Sequence, residues 1–227
     1  MKMKDKMKKI LLMAMLLLTA FASKAEPLDG AAFLKSLCGT YVELFSSNTC
    51  LSPTLSAVWH TEAARYVGED KADETVRKLV SGCQGTVTGE KAVVEYADGK
   101  PFRFCCSFLQ GVGKITFKGN RISGVDKQGR KLFSHKYHFV GKDSEGNYIY
   151  ESNDNNGDEF RFFWMRPDSP SETYHIEFRY GSDKEQLAQL MTGKYAYWMA
   201  SGVREGHEEE HVHSIRLFVS ENLGTRE

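Results

Sequence analysis

The sequence has few prolines, no low-complexity tract and no excess of charge of either sign. Five prolines occur in 227 residues, and 30 basic side chains face 30 acidic ones. Aromatic residues are abundant, at 12%. Beyond the N-terminal segment, about 200 residues of this composition suffice to bury the core of one globular domain. We therefore expect a single domain.

Long apolar runs are also scarce, and the clearest one lies near the N-terminus. Five lysines fall within Met1–Lys9, an almost unbroken apolar run covers Ile10–Phe21, and Ser23-Lys24-Ala25 has the small residues of a signal-peptidase site. The run is shorter than the ~20 residues that a membrane-spanning helix needs. We therefore expect Met1–Ala25 to be a secretory signal peptide, with a periplasmic or secreted bacterial product that has no stable membrane anchor.

Removing the predicted signal peptide changes the charge balance. It takes away six lysines and Asp5, which leaves 24 basic residues against 29 acidic ones. A mildly acidic chain does not present the basic surface that binds a phosphate backbone. Nucleic acid is therefore not an expected partner.

Cysteine is scarce, and its spacing matches no known thiolate site. The five cysteines are Cys38, Cys50, Cys83, Cys105 and Cys106. They form neither a Cys-x-x-Cys redox motif nor a thiolate zinc site. In an oxidising compartment one or two disulfides can form, and one thiol is left over. Because adjacent residues on a strand point to opposite faces, we expect at most one of Cys105 and Cys106 to be bonded.

The spacing of apolar residues predicts helices first and strands afterwards. A short helix over Ala31–Leu37 precedes a strand over Gly39–Phe45. Helical spacing over Ser56–Cys83, interrupted at Gly68-Glu69-Asp70, predicts two helices or one broken helix. Short alternating runs then recur between turn signals, over Ala92–Tyr96, Phe102–Phe108, Lys114–Lys118, Arg121–Val125, Lys131–Val140, Tyr148–Glu151, Glu159–Met165 and Thr173–Gly181. Turn signals about every ten residues are typical of an antiparallel β-sandwich or barrel.

The last predicted strand holds the first candidate site. From Thr173 to Arg179 every second residue is polar, so His175 and Glu177 should share one face of the strand. Imidazole and carboxylate groups both bind metals, and Asp168 on the preceding turn is a third candidate ligand. The following Ser182-Asp183-Lys184-Glu185 has the form of a capping box, which predicts a helix over Lys184–Met191.

A second candidate site lies in a stretch rich in histidine and glutamate over residues 206–213. Its histidines are His207, His211 and His213. The spacing of His207-Glu208-x-x-His211 matches the zincin motif literally, but a zincin helix is buried in a cleft and this one carries two further glutamates. We expect an exposed C-terminal helix that captures metal loosely or is merely a solvated acidic helix. In the second case its apolar side would pack on the rest of the fold, through Val212, Ile215 and Val219.

Several segments together follow the order and spacing of a known family. Gly39–Phe45 resembles a Gly-x-Trp/Tyr strand that precedes a helical insertion, and Gly113–Asn120 resembles a strand ending in Leu-Thr-Tyr. The C-terminal matches are Tyr148–Glu151, Glu159–Phe162, Tyr174–Glu177, Gly181–Leu187 and Gly193–Trp198. The chain thus resembles the ZinT (YodA) family of periplasmic metal-binding proteins. This resemblance implies a mainly β, lipocalin-like calycin barrel with a helical insertion after the first strand and C-terminal helices, in one domain over residues 26–227.

The resemblance also implies a metal site and a partner. The ZinT family binds zinc and other divalent metals through three histidines, one ending a Ser-Asp-His turn and two in a His-x-His strand. By position, these fall near Asp168 and on His175 and Glu177. Two of the three ligands therefore differ, and a His/Glu/Asp set favours zinc less strongly over manganese or calcium. The implied recipient is the binding component of a metal ABC transporter, and His-rich extensions are expected to capture metal loosely.

Two functions remain open. The first is an exported protein that captures zinc or another divalent metal ion and passes it to a transporter. The alternative is a metal-independent calycin carrier or interaction module, which binds an apolar small molecule or a protein. We expect no enzyme, because no convincing nucleophile–base pair, phosphate loop or dinucleotide fingerprint occurs. His60, His135 and His138 are interpreted as ordinary structural histidines.

Overall fold

Eight antiparallel strands close into a barrel in the computed structural model, which describes residues 29–46, 52–84, 105–154, 157–167, 175–191 and 200–224. Each strand pairs with the next along the chain, and β1 pairs with β8 to close the barrel. The strands are β1 (Gly39–Glu43), β2 (Val112–Lys118), β3 (Arg121–Asp126), β4 (Lys131–Lys142), β5 (Tyr148–Ser152), β6 (Phe162–Pro167), β7 (His175–Gly181) and β8 (Ala200–Arg204). The barrel confirms the predicted fold class.

Helices flank the barrel, and their ends follow local sequence signals. They are α1 (Gly30–Ser36), α2 (Pro53–Val67), α3 (Glu69–Gly82), α4 (Lys184–Met191) and α5 (Glu208–Leu223). Ser52 caps α2 by accepting a hydrogen bond from the Leu55 N–H at 3.3 Å. Gly68, with φ 83°, separates α2 from α3, so the predicted broken helix is two helices.

Some of the predicted helices and strands are present in the structure, one is wrong, and others lie outside the described residues. Helix α4 has the predicted bounds, but its cap is Asp183, which accepts the Gln186 N–H at 3.0 Å, one residue after the Ser182 and Glu185 pair of the predicted capping box. The predicted strand Phe102–Phe108 is wrong where it can be compared, because Cys105–Phe108 forms only an isolated bridge, Gln84↔Cys105. Strand β8 was not predicted. The signal peptide and the strand Ala92–Tyr96 lie outside the described residues.

Aromatic side chains fill the inside of the barrel. Those in its buried cluster are Tyr41, Phe117, Phe133, Tyr137, Tyr148, Tyr150, Phe160, Phe163, Phe178 and Tyr180, with Phe33 of α1 and Phe108 at the margin. The rings of Phe133 and Phe160 stack with centroids 3.9 Å apart, and Tyr150 donates its hydroxyl to the Gly30 carbonyl at 2.7 Å. Helix α1 is thereby fastened to the barrel interior.

A second apolar layer joins the outer face of the barrel to the helices. Val203 of β8 is buried there with Trp59 of α2 and with Ile215 and Val219 of α5. The apolar side predicted for the C-terminal helix therefore packs as expected. This layer places the helical insertion and α5 on the same side of the barrel.

His60 links the two helices of the insertion, α2 and α3, and this contact makes the stability of the fold depend on pH. Its Nδ1 lies 2.7 Å from Asp73 Oδ1 and its Nε2 lies 2.7 Å from Glu69 Oε2, so α2 is tied to α3. The hydrogen bonds to Asp73 and Glu69 raise the pKa of His60 above 6.5. A histidine whose pKa is raised by folding stabilises the fold fully below about 6.5, and that contribution is lost as the pH rises through the folded-state pKa.

We expect the His60 ring to titrate above its ordinary range in an NMR pH titration. Asp73→Asn should lower this pKa, because it removes the carboxylate with the largest effect. A His60 ring that titrates at or below 6.5 would contradict this link between α2 and α3.

Candidate functional site

Strand β7 separates polar from apolar side chains as its sequence predicts. Ile176, Phe178 and Tyr180 are buried in the cluster inside the barrel. His175 and Glu177 alternate with them and are both partly exposed. The two candidate ligands therefore share the outer face of the barrel. This confirms the predicted division of the strand, while a metal at these residues remains a prediction.

The neighbouring strands define what surrounds the two candidate ligands. His175 lies opposite Val203 of β8, and Glu177 lies between Arg166 of β6 and Ser201 of β8. Side chains directly opposite one another lie on the same face, with Cβ atoms about 4.5–5.5 Å apart. The Nε of Arg166 donates to Asn147 Oδ1 at 2.9 Å, which links that guanidinium to the residue before β5, on the side of β6 away from β7. A cation at Glu177 would thus have one arginine and one hydroxyl as neighbours.

Arg179, two residues further along the same face, is buried rather than wet. It is 4% exposed, and its Nη2 donates to the carbonyl of Cys105. Among the described residues its Nη1 has no hydrogen-bond partner. Burial lowers the pKa of Arg179, while the Cys106 and Cys105 thiols and Glu177 act in the opposite direction. The outer face of β7 therefore changes from partly exposed to buried between Glu177 and Arg179.

The third predicted ligand cannot be placed. Asp168 lies in residues 168–174, outside the described part of the chain. Within the described residues, no three His, Cys, Asp or Glu side chains are grouped so as to hold a metal ion. What the structure contributes is therefore a two-residue half-site, His175 with Glu177, next to the stretch that contains Asp168.

The C-terminal histidines start a helix that is tied to the barrel. His207 precedes α5, and its Nδ1 lies 3.7 Å from Glu210 Oε1. The carboxylate of Glu210 also accepts two hydrogen bonds from Arg204, at 2.5 and 3.0 Å. His211 Nε2 lies 2.9 Å from the Arg204 carbonyl oxygen, and His213 is partly exposed. The residues of the zincin-like stretch thus include two, Glu210 and His211, that contact Arg204 of β8. Metal capture by the histidines remains a prediction.

Sequence reasoning missed a histidine held between two carboxylates. His135 of β4 has Nδ1 2.7 Å from Asp154 Oδ2 and Nε2 3.2 Å from Asp158 Oδ2. It was interpreted as an ordinary strand histidine. The available signal was the hairpin, because β5 runs antiparallel to β4 and returns the residues that follow it toward His135. One metal ion cannot use both ring nitrogens of a histidine, so this geometry indicates a structural contact that links β4 to the segment after β5.

Glu43 is a second group that the sequence did not single out. It ends β1, and its Oε1 accepts the N–H of Phe108 at 2.7 Å. Burial raises the pKa of Glu43, and the Phe108 hydrogen bond together with the charge of Lys127 acts in the opposite direction. This carboxylate fixes the segment Cys105–Phe108, which is not a strand, to the end of the barrel.

Comparison with known proteins identifies the fold. A scan against protein-family models and a search of curated protein sequences give no match. The solved zinc-bound ZinT-like domain of AdcA from Streptococcus pneumoniae is similar over 88% of this chain and 96% of its own length, with 14% identity and a TM-score of 0.51. Zinc-bound AdcA from the same organism is similar over 82% of this chain and 35% of its own length, with 12% identity and a TM-score of 0.44.

None of the helices in the described residues is long and apolar enough to cross a membrane. The barrel, the helical insertion after β1 and the helices near the C-terminus all agree with the arrangement that the sequence resemblance implied. At 14% identity the likeness concerns the fold. The chain therefore has the calycin fold of a ZinT-like domain.

Proposed function

We propose that this chain is an exported divalent-metal-binding protein of the ZinT type and not an enzyme. The carrying observation is that His175 and Glu177 lie together on the outer face of β7, where both side chains are partly exposed. The proposal is supported by the fold, which is that of a domain solved with zinc bound. The sequence resemblance also implies ligands at these two positions. Asp168 would complete a three-ligand set, for which zinc, with its tolerance of nitrogen and oxygen donors, is the first candidate metal.

The C-terminal histidines have a subordinate role in this proposal. His207 and His213 are accessible, and three glutamates occupy the first turn of α5. Such a segment would capture metal weakly and raise its local concentration. The binding component of a metal ABC transporter, which the family resemblance implies as the recipient, would receive the ion. Export and the periplasmic location follow from the predicted signal peptide.

The alternative, an apolar-ligand carrier, is less well supported. A carrier needs room in the barrel, whereas here stacked rings occupy the interior. Phe163 alone has four neighbouring rings, those of Phe133, Tyr137, Phe178 and Tyr180, with centroids 5.1–6.2 Å away. Protein interiors packed in this way leave few voids larger than a water molecule. The metal-binding proposal is therefore preferred.

Zinc titration by calorimetry tests the proposal. We expect one tight site per chain in the wild-type protein. His175→Ala should weaken that site by more than about 100-fold, because loss of an outer-shell partner alone costs 10–100-fold and His175 would be a direct ligand. His138→Ala is the matched control, since this exposed histidine lies on β4 and contacts Asn153.

A variant with His207, His211 and His213 replaced by alanine separates the two candidate sites. Substitution is preferable to truncation before Gly206, because truncation would also remove the buried Ile215 and Val219. The variant should keep the tight site and lose only weak binding. Unchanged zinc affinity in His175→Ala, or loss of tight binding only in the C-terminal variant, would refute the site on β7.

A further inference from the structure

A pair of buried thiols joins the helical insertion to the barrel. Cys83 ends α3, and Cys106 lies in the segment that leads into β2. They are 6% and 7% exposed, and in the structure both are thiols. Their side chains are hydrogen-bonded to each other, and this contact, followed by burial, raises the pKa of the Cys106 thiol.

The backbone brings the two cysteines next to each other, on two segments that meet in an isolated antiparallel bridge. Gln84 and Cys105 form an antiparallel bridge, which sets Cys83 opposite Cys106. The Cys106 N–H also donates to the Cys83 carbonyl at 3.1 Å. Residues directly opposite in an antiparallel pair have Cα atoms about 4.5–5.5 Å apart, within the 4.4–6.8 Å range of disulfides. The pairing of the two segments is therefore compatible with a disulfide between Cys83 and Cys106.

We propose that Cys83 and Cys106 form a disulfide when the protein is in an oxidising environment. In the reaction the two thiols lose two protons and two electrons as the sulfur–sulfur bond forms. A disulfide of low molecular weight, such as oxidised glutathione, accepts both and leaves as two thiols. Because the folded pair is buried, the bond forms before the helical insertion has packed or during its transient opening.

The proposed disulfide would lie next to the candidate metal site. The Cys106 carbonyl accepts the N–H of Ser201, the residue of β8 that lies opposite Glu177. Arg179 donates to the carbonyl of Cys105 immediately beside the pair. A disulfide would join α3 to Cys105 and Cys106, whose carbonyls contact Arg179 of β7 and Ser201 of β8. It would therefore hold this segment against the outer face of the barrel.

Thiol counting on the full chain tests the proposal. The protein is purified with reductant, refolded with oxidised glutathione, denatured without reductant and alkylated, and then digested for mass spectrometry. We expect two fewer alkylated cysteines than in the reduced sample and a linked peptide pair that contains Cys83 and Cys106. Full alkylation of both residues, or a linkage of Cys83 to another cysteine, would overturn the proposal.

An unfolding measurement supplies a second readout. The urea midpoint of the oxidised wild-type protein should fall when reductant is added, because the crosslink restricts the unfolded chain. Cys105, a neighbouring buried thiol opposite Gln84, is the control. The Cys105→Ser variant should keep this reductant-dependent shift, whereas Cys106→Ser should lose it. A shift of equal size in Cys106→Ser would also overturn the proposal.

Discussion

Replacing Phe163 with alanine is expected to lower the free energy of unfolding by about 3–5 kcal/mol. The side chain is fully buried in the middle of the barrel. Its ring contacts those of Tyr137 and Tyr180 at centroid distances of 5.2 and 5.1 Å, and all three belong to one cluster. The closed barrel cannot collapse freely around the cavity, so both the transfer and cavity contributions should appear. Chemical denaturation monitored by circular dichroism measures the change.

Leu132→Ala is the control for Phe163→Ala. Leu132 belongs to β4 of the same barrel but is 41% exposed. Because much of its side chain is in water in the folded protein, its removal should cost less than about 1 kcal/mol. Equal losses for the two variants would mean that the interior is not the packed aromatic core described above, and the carrier alternative would gain support.

Arg216→Ala is expected to lower the free energy of unfolding by about 1.5–3 kcal/mol, the usual range for a hydrogen bond to a charged group. Arg216 of α5 donates through Nε to Glu62 Oε1 at 2.9 Å, and Glu62 of α2 is only 5% exposed. The substitution would leave this buried carboxylate with Arg65, whose Nη1 lies 3.0 Å away. Since the Arg216 side chain is 55% exposed, the lower half of the range is expected.

Arg65→Ala provides the matched comparison for Arg216→Ala. It removes the other arginine from the same carboxylate, but this pair lies within one helix at i,i+3. Because the Arg65 side chain is 62% exposed and pairs within one helix contribute about 0.2–0.5 kcal/mol, we expect a smaller loss than in Arg216→Ala. A double-mutant cycle between Glu62→Gln and Arg216→Ala would measure the coupling across α2 and α5. A loss in Arg216→Ala no greater than that in Arg65→Ala would show that Glu62 does not fasten α5.

Local sequence patterns predicted most helices and strands, because the signals for these elements lie in residues close together in the sequence. The alternation in β7 predicted which side chains enter the barrel, and Gly68 predicted the break between α2 and α3. Strand β8 escaped prediction because Ala200-Ser201-Gly202 has small residues and no polar–apolar alternation. It is a strand because β1 and β7 offer free edges on both sides, which is a tertiary effect.

The candidate site was predictable only in part. Sequence spacing placed His175 and Glu177 on one face, but it could not reveal that Arg179 on that face is covered. The cover comes from Cys105, which is 74 residues away in the sequence. Likewise, the backbone N–H of Cys106 donates a hydrogen bond to the carbonyl of Cys83, outside any strand of the barrel. Contacts between distant segments decide such features, and no local pattern encodes them.

Anomalous X-ray scattering at the zinc absorption edge, from crystals of the protein with one equivalent of zinc, tests the metal-binding account most directly. The account predicts one strong peak on the outer face of β7, about 2.0–2.2 Å from a His175 ring nitrogen and a Glu177 carboxylate oxygen. Crystals of His175→Ala prepared in the same way should lack that peak. Zinc found only at His207, His211 or His213, or no peak beside His175 in the wild-type protein, would contradict the account.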